Sequence, residues 1–263
     1  MIRTFRAELV RLRRRRVVLP ATIATVLFSV ATAALVLASA EPVRRQPGFG
    51  QGTTIESLSR PGGGTEVFTA GVSFAGTFVF VVFVGAIAVE FSRGTVRTML
   101  LRQPRRFALL AGKLAALLTF AAALLAGAEA LTWLAAKLLA PTQDIATSQW
   151  TSIASVGHAV GDYAAALFWV AGYAVLGMTV AVLARSVPIA LAVGIAWAGP
   201  FEHLLQDGWS AASRLFPGLL LEAFVAGGTE DVSAQRALVT VTAYMLVAGA
   251  IAAATFARRD VTS

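Results

Sequence analysis

Few side chains in this sequence are placed for chemistry, and they fall into three groups. His158 and Asp162 stand four residues apart, a spacing that sets two ligands on one helix face, but a metal centre needs more donors than two and the other histidine is His203. Glu129, Asp162, Glu202 and His203 interrupt apolar runs near their ends. A charge at the centre of a bilayer costs roughly 2.5–3.5 kcal/mol on insertion scales and much less near the interface, so these four read either as headgroup-level polar residues or as an outer acidic vestibule. The third group is the run Glu90-Phe91-Ser92-Arg93-Gly94-Thr95-Val96-Arg97-Thr98-Met99-Leu100-Leu101-Arg102-Gln103-Pro104-Arg105-Arg106. Ser92 can cap a short helix there, and Glu90 suits the positive end of that helix. Val96, Met99 and Leu100 share one face, Arg93 and Arg97 another, and Pro104 ends the helix. Periodicity alone does not separate a rigid handle for a protein partner from a basic loop that fixes topology.

The motifs of the common catalytic classes are missing. The sequence contains no G-x-x-x-x-G-K-[ST] phosphate loop, no H-E-x-x-H, no G-x-S-x-G and no D-x-[DN]-x-[DN]-G pattern. It has no cysteine, which removes disulfides, thiolate metal sites and cysteine nucleophiles. The expectation is a protein with no catalytic residues, no metal and no cofactor of its own.

The elements that carry these residues are apolar. Of 263 residues, 57% are hydrophobic and only 14% charged, with a mean hydropathy of +0.74. A soluble domain carries roughly a quarter charged residues, so much of this surface faces lipid. Apolar runs predict an all-α polytopic membrane protein, one transmembrane domain over 1–263 with six transmembrane helices at about 17–40, 67–89, 107–136, 163–184, 187–205 and 238–257. The first run is too long for a signal peptide and is expected to be retained. Before it, Ile2, Phe5, Leu9 and Leu12 lie at helical spacing among arginines, predicting a basic amphipathic helix on the inner membrane surface. Residues 42–66, with three prolines and the run Gly62-Gly63-Gly64, predict a mobile outer loop. Gly71, Gly76 and Gly85 predict close helix approach in the second span, and Ala248, Gly249, Ala252 and Ala253 do so in the last. Trp133, Trp150, Trp197 and Trp209 fall toward the outer side, as an interfacial belt would place them.

The net charge of +8 and a pI of 11.1 do not point to nucleic acid, because the basic residues sit in blocks abutting apolar runs. With both termini cytoplasmic, 16 of the 22 Lys and Arg residues fall inside, which is the positive-inside pattern of a plasma-membrane protein in contact with anionic lipid.

The run from Glu90 to Arg106, followed by Gly112-Lys113, resembles the region between the second and third spans of type-2 ABC transporter permeases. It is most like the short permeases of actinobacterial drug or antibiotic exporters, and the basic opening helix and the closing Ala257-Arg258-Arg259-Asp260-Val261 are similar to that family too. The resemblance implies a half-transporter that pairs with a second permease, identical or paralogous, on cytoplasmic ATPase subunits that carry the ATP and magnesium. It implies a coupling helix around Ser92 to Gln103 (Glu90, Ser92, Arg93, Gly94, Thr95, Arg97, Leu101 and Pro104) docked in the ATPase. It further implies short outer helices within 210–225, broken at Pro217-Gly218. The cargo expected from the composition is apolar or amphipathic. An ion-coupled secondary transporter would need ionisable residues near the midplane, and a membrane scaffold or immunity protein would move nothing.

Orientation is open to direct test. Single cysteines at Gly63 and Gly227 are expected to react with an impermeant thiol reagent on intact cells, and cysteines at Thr98 and Ser263 are not; labelling of Thr98 from outside would reverse the topology.

Overall fold

The computed structural model describes residues 1–40, 53–102, 105–197, 201–209 and 211–258. These residues form helices and no strand. In chain order they are α1 (Ile2–Leu12), α2 (Arg15–Ala38), α3 (Ile55–Leu58), α4 (Gly63–Phe74), α5 (Gly76–Ser92), α6 (Thr95–Arg102), α7 (Arg106–Leu139), α8 (Ile153–Ala184), α9 (Val187–Ala196), α10 (Glu202–Gly208), α11 (Pro217–Val225) and α12 (Ala234–Arg258). Four helices are long and apolar enough to cross a membrane: α2, α7, α8 and α12. α4 and α5 qualify together as one broken span.

The differences from the sequence expectation have local causes. The second span breaks at Ala75, where Gly76 leaves room for the Tyr173 hydroxyl: a Cβ at 76 would lie 2.8 Å from Tyr173 Oη. α8 starts ten residues before the expected 163, so Asp162 lies inside the helix rather than at its end. Its start is capped by Ser152, whose Oγ accepts from the Ser155 N–H at 3.3 Å. The expected fifth span is α9 and the beginning of α10, and residues 198–200 between them lie outside the described part. α9 alone is about 15 Å long at 1.5 Å per residue, half a hydrocarbon core. It opens after Arg185, which takes the left-handed φ of 53° in the turn from α8.

The described residues divide into two compact units. One comprises Arg15–Phe74 and Ala122–Phe168. Its core gathers Leu37, Leu58, Val67, Ala136, Ile145 and Trp150. The glycine run expected to be mobile is packed here. Thr54 caps α3 in a capping box, Trp150 Nε1 donates to the Leu58 carbonyl at 2.7 Å, and the Gly62 N–H donates to Ser155 Oγ at 3.2 Å. Gly64 lies against Trp133 and Trp150, where any Cβ would come within 2.9 Å of both rings. Glycine reads as disorder in composition, but here its bare backbone is what fits under two indoles. Gly63 is consequently a poor labelling site, since a Cβ there would fall 1.9 Å from the Leu58 carbonyl oxygen. Trp150, 3% exposed, is a core residue and not part of an interfacial belt. Residues 41–52 of the expected loop lie outside the described part.

The other unit comprises Met1–Arg14, Ala75–Ala121 and Trp169–Ser263. Phe80, Val84, Trp169, Tyr173, Leu220, Leu221 and Phe256 are buried in it. Phe80 and Trp169 both meet Tyr173 edge to face. α12 meets α8 where Thr179 Oγ1 donates to the Ala248 carbonyl at 3.0 Å, and Ala252 is fully buried. Trp197 stacks on Phe201, and Phe216 lies edge-on to Trp197, Phe201 and Trp209. Trp197, Phe201 and Trp209 are each at least 40% exposed, as residues of an interfacial belt are.

Glycine contacts rank the helix seams. A Cβ at Gly71 would lie 2.2 Å from the Thr32 methyl, whereas Gly127 faces open space and Gly85 only ordinary contact. Gly71→Val is expected to lower stability by about 1–3 kcal/mol through overpacking of α4 on α2. Gly127→Ala is expected to be neutral or stabilising by up to about 1 kcal/mol. Thermal unfolding of purified protein in detergent measures both.

Candidate functional site: the junction of α5 and α6

The chain leaves α5 through Arg93 and Gly94, the latter at φ 65° in the left-handed region that glycine alone adopts without strain. The Gly94 N–H donates to the Phe91 carbonyl at 3.1 Å, and Thr95 Oγ1 donates to the Glu90 carbonyl at 3.1 Å, so the turn into α6 is tied at two points. α6 rests on Val96, 4% exposed, with Met99 and Leu100 half-buried. It presents Thr98 and Leu101 outward, next to the exposed Arg93 of the turn, and Leu101 is 82% exposed. The side chains of Arg97 and Arg102, and all of Pro104, lie outside the described part. Ser92 is the last residue of α5 and not the cap of α6; its Oγ accepts from the Val187 N–H at the start of α9, at 3.3 Å.

Glu90 likewise belongs to α5 and not to the start of α6. Its side chain is 7% exposed and accepts from Arg11 Nη1 at 2.6 Å and from Lys113 Nζ. Lys113, 6% exposed, also donates to Glu8 at 3.1 Å. Glu8 and Arg11 come from α1, Glu90 from α5 and Lys113 from α7, so two acids and two bases from three helices neutralise one another, three of them buried and Arg11 half-exposed at the edge. Burial alone would lower the Arg11 pKa, but the hydrogen bond to Glu90 and the nearness of both carboxylates outweigh it and hold the pKa above its ordinary value. Gly112 lets α1 settle on α7, since a Cβ there would lie 2.8 Å from the Met1 carbonyl oxygen. Arg106 Nη1 reaches the Phe256 and Ala257 carbonyls at 3.0 and 3.1 Å, satisfying the open end of α12, and Phe91 meets Phe256 edge to face. The end of α5 thus gathers α1, α7, α9 and α12.

A family model described as a protein of unknown function, DUF2705, matches residues 53–262. The chain belongs to the DUF2705 family. The match takes in the α5–α6 junction and every helix from α3 to α12, while α1 and its contribution to the ion cluster lie before it. A search of curated proteins finds no match to this DUF2705 chain.

The four candidate vestibule residues fall into different surroundings. Glu129 and Asp162 belong to the unit built on Trp150. Glu129 lines an open cleft of about 840 Å³ with Thr65, Trp133, Ser155 and Tyr163, and its Oε1 is buried with no hydrogen-bond partner among the described residues. Asp162 is hydrogen-bonded with Thr65 and lies within electrostatic reach of His158. No three His, Asp or Glu side chains among the described residues stand close enough to share a metal. Glu202 and His203 belong to the other unit and diverge: Glu202 is 2% exposed, while His203 is exposed with Nε2 3.1 Å from Glu222 Oε2.

Sequence reading found Glu90, Gly94 and Gly112-Lys113 but not that Glu8 and Arg11 complete the cluster. The available signal was Glu8, the one acid in an arginine-rich opening helix, paired with Lys113, the one cation within an apolar span. Removing one member of a buried charge set leaves its partner uncompensated, which costs about 3–5 kcal/mol. Lys113→Met is therefore expected to destabilise by that order, and Glu8→Gln/Lys113→Met to recover part of the loss. Thermal unfolding of the singles and the double gives the coupling, and additive losses would dissolve the cluster as a unit.

Proposed function

We propose that this DUF2705 protein is the permease subunit of an ATP-binding-cassette exporter of the type-2 class, with α6 as the helix that docks on a separate cytoplasmic ATPase. The observation that carries the reading is α6 itself. It is a short helix with an exposed leucine, hung from the end of a long apolar helix by a left-handed glycine and braced by a buried ion cluster. A topology anchor needs only positive charge; a helix that transmits force needs a fixed seat.

On this reading the six spans are α2, the broken pair α4–α5, α7, α8, α9 with α10, and α12. Both termini are cytoplasmic in the plasma membrane, and α1 lies on the inner surface. Two permeases dimerise, ATP and magnesium are bound by the partner ATPase, and closure of that partner switches the permease between inward-facing and outward-facing states. The ATPase must bind the two states with different affinity, or it drives nothing. The cargo is apolar or amphipathic, because a seam of Ala, Val, Leu and Phe returns about 25 cal/mol per Å² to apolar surface and little to a sugar or a bare ion.

The test is co-purification with an ATPase encoded next to this chain and measurement of its stimulation by the permease. Gly94→Val strains the left-handed turn, and Leu101→Asp removes the exposed apolar contact. Both variants are expected to insert, Leu101→Asp melting like wild type and Gly94→Val somewhat lower, and both are expected to lose ATPase stimulation by about tenfold or more, the equivalent of about 1.4 kcal/mol of docking energy. Undiminished stimulation in both would return α6 to the role of a topology anchor.

A further inference from the structure

The apolar face of α1 is taken up by the protein itself. Leu12 is buried, Phe5 and Leu9 are half-buried, and Glu8, 5% exposed, accepts from Lys113 of α7 at 3.1 Å. Gly112 of α7 seats against Met1, Thr4 and Phe5, where a Cβ would come within 3.3 Å of each. α1 is thus clamped to α7 by shape and charge, and its hold does not depend on insertion into a membrane.

What α1 turns outward is basic. Arg3, Arg6, Val10 and Arg13 follow at steps of three, four and three residues, which sets them along one side of the helix, and all four are exposed. Arg13 is the C-cap, and its right-handed helical backbone keeps it in line. Ile2 and Val10, 66% and 65% exposed, stand among these guanidiniums. Glu8 is the one acid of α1 and it is buried, so nothing on the helix offsets the outward charge. From Arg3 to Arg13 the stripe runs about 15 Å at 1.5 Å per residue. In physiological salt the Debye length is about 8 Å, so a single small anion meets one end of the stripe, while a plane of headgroups meets all of it.

The element that follows selects the partner. α2, an apolar helix long enough to cross a membrane, begins at Arg15, two residues after Arg13. A chain that enters hydrocarbon there has the end of α1 at headgroup depth. Arginine meets phosphate through paired N–H donors. Exposed aliphatic side chains between the guanidiniums suit the boundary of headgroups and acyl chains better than they suit an acidic protein surface. Arg11 ties this surface to the α5–α6 junction. Its side chain is 46% exposed, yet Nη1 donates to Glu90 at 2.6 Å, and the Glu90 carbonyl accepts from Thr95 Oγ1 at the start of α6.

We infer that the outward stripe of α1 is a docking surface for anionic phospholipid headgroups, and that lipid bound there steadies the seat of α6 through Glu8 and Arg11. The second half deepens the reading of α6 as a docking helix by giving its seat a regulator. Lipid binding and amide exchange need neither ATPase nor transport, so the two ideas fail separately.

The experiment uses the full chain. Titrated in detergent with soluble dioctanoyl phosphatidylglycerol, it is expected to bind at least about tenfold tighter than Arg3→Gln/Arg6→Gln/Arg13→Gln, and Arg214→Gln/Arg236→Gln is expected to bind like wild type. In nanodiscs of phosphatidylcholine with phosphatidylglycerol, amide hydrogen exchange in α6 is expected to be about threefold or more slower than in phosphatidylcholine alone. Exchange in α11 is expected to be the same in both, and the triple variant to lose the difference in α6. Should the triple variant insert poorly, Arg6→Gln decides, with an expected loss of affinity of about fivefold. Equal binding of phosphatidylglycerol and phosphatidylcholine, or a preference that survives in the variants, would overturn the docking surface. Binding without slower exchange in α6 would overturn the link to the junction. Slower exchange produced as well by soluble polyglutamate in phosphatidylcholine discs would give the stripe to an acidic protein instead of lipid.

Discussion

A carboxylate and an ammonium that are both more than nine-tenths buried can persist only together, and the pairing of Glu90 with Lys113 sets much of what surrounds it. Each ion would cost several kcal/mol alone in a low-dielectric setting. Their side chains meet near the end of α5, and α1 adds a second neutral pair, Glu8 and Arg11, to the same cluster. Such a cluster contributes less to net stability than to uniqueness of arrangement, because an apolar replacement of the whole set would pack as well but would not fix which turn of α1 lies over which turn of α7. The tight seat of Gly112 under the first turn of α1 supplies the same register by shape.

Glycine does the complementary work where charge is absent. Gly64 lets a turn slide beneath Trp133 and Trp150, Gly62 makes room for His158, Gly71 admits the Thr32 methyl, and Gly76 and Gly218 both make room around the Tyr173 hydroxyl. These positions share no sequence signature. Gly71 reads as a helix-packing residue and is one, Gly62 to Gly64 read as a flexible tract and are packed, and Gly85 reads as a packing residue but meets only ordinary contact. What decides each is a neighbour far away in the sequence, and a single chain read by composition carries no information about that neighbour.

The same reasoning explains what was legible. Apolar length is a local property, so α2, α7 and α12 follow the sequence closely, and the short helix after Gly94 follows from its turn and its Val96, Met99 and Leu100 face. Positions fixed by tertiary partners were not legible. Glu90 looks like a helix-start acid because acids favour that end, yet it is held at the end of α5 by cations from α1 and α7. Trp150 looks like a belt residue because indoles favour interfaces, yet its N–H is taken by the Leu58 carbonyl. The acids Glu129 and Glu202 look alike in sequence, each alone in an apolar stretch; only the surroundings separate a carboxylate on an open cleft from one sealed against the start of α11.

Three helices run from the α5–α6 junction to an apolar cavity of about 180 Å³ beside Glu202. α5 carries Glu90 at one place and Phe80 at the other, α9 carries Val187 and Val193, and α12 carries Phe256 and Ala248. The spans are about 9–15 Å at 1.5 Å per residue, short enough for a helix to behave as a rod. Within this unit a load at the end of α5 therefore reaches three walls of the cavity along helices alone. The consequence runs in both directions. Anything that favours one spacing of α5, α9 and α12 at the cavity must favour the matching seat of α6 by the same free energy, because the linkage between two sites on one body is reciprocal.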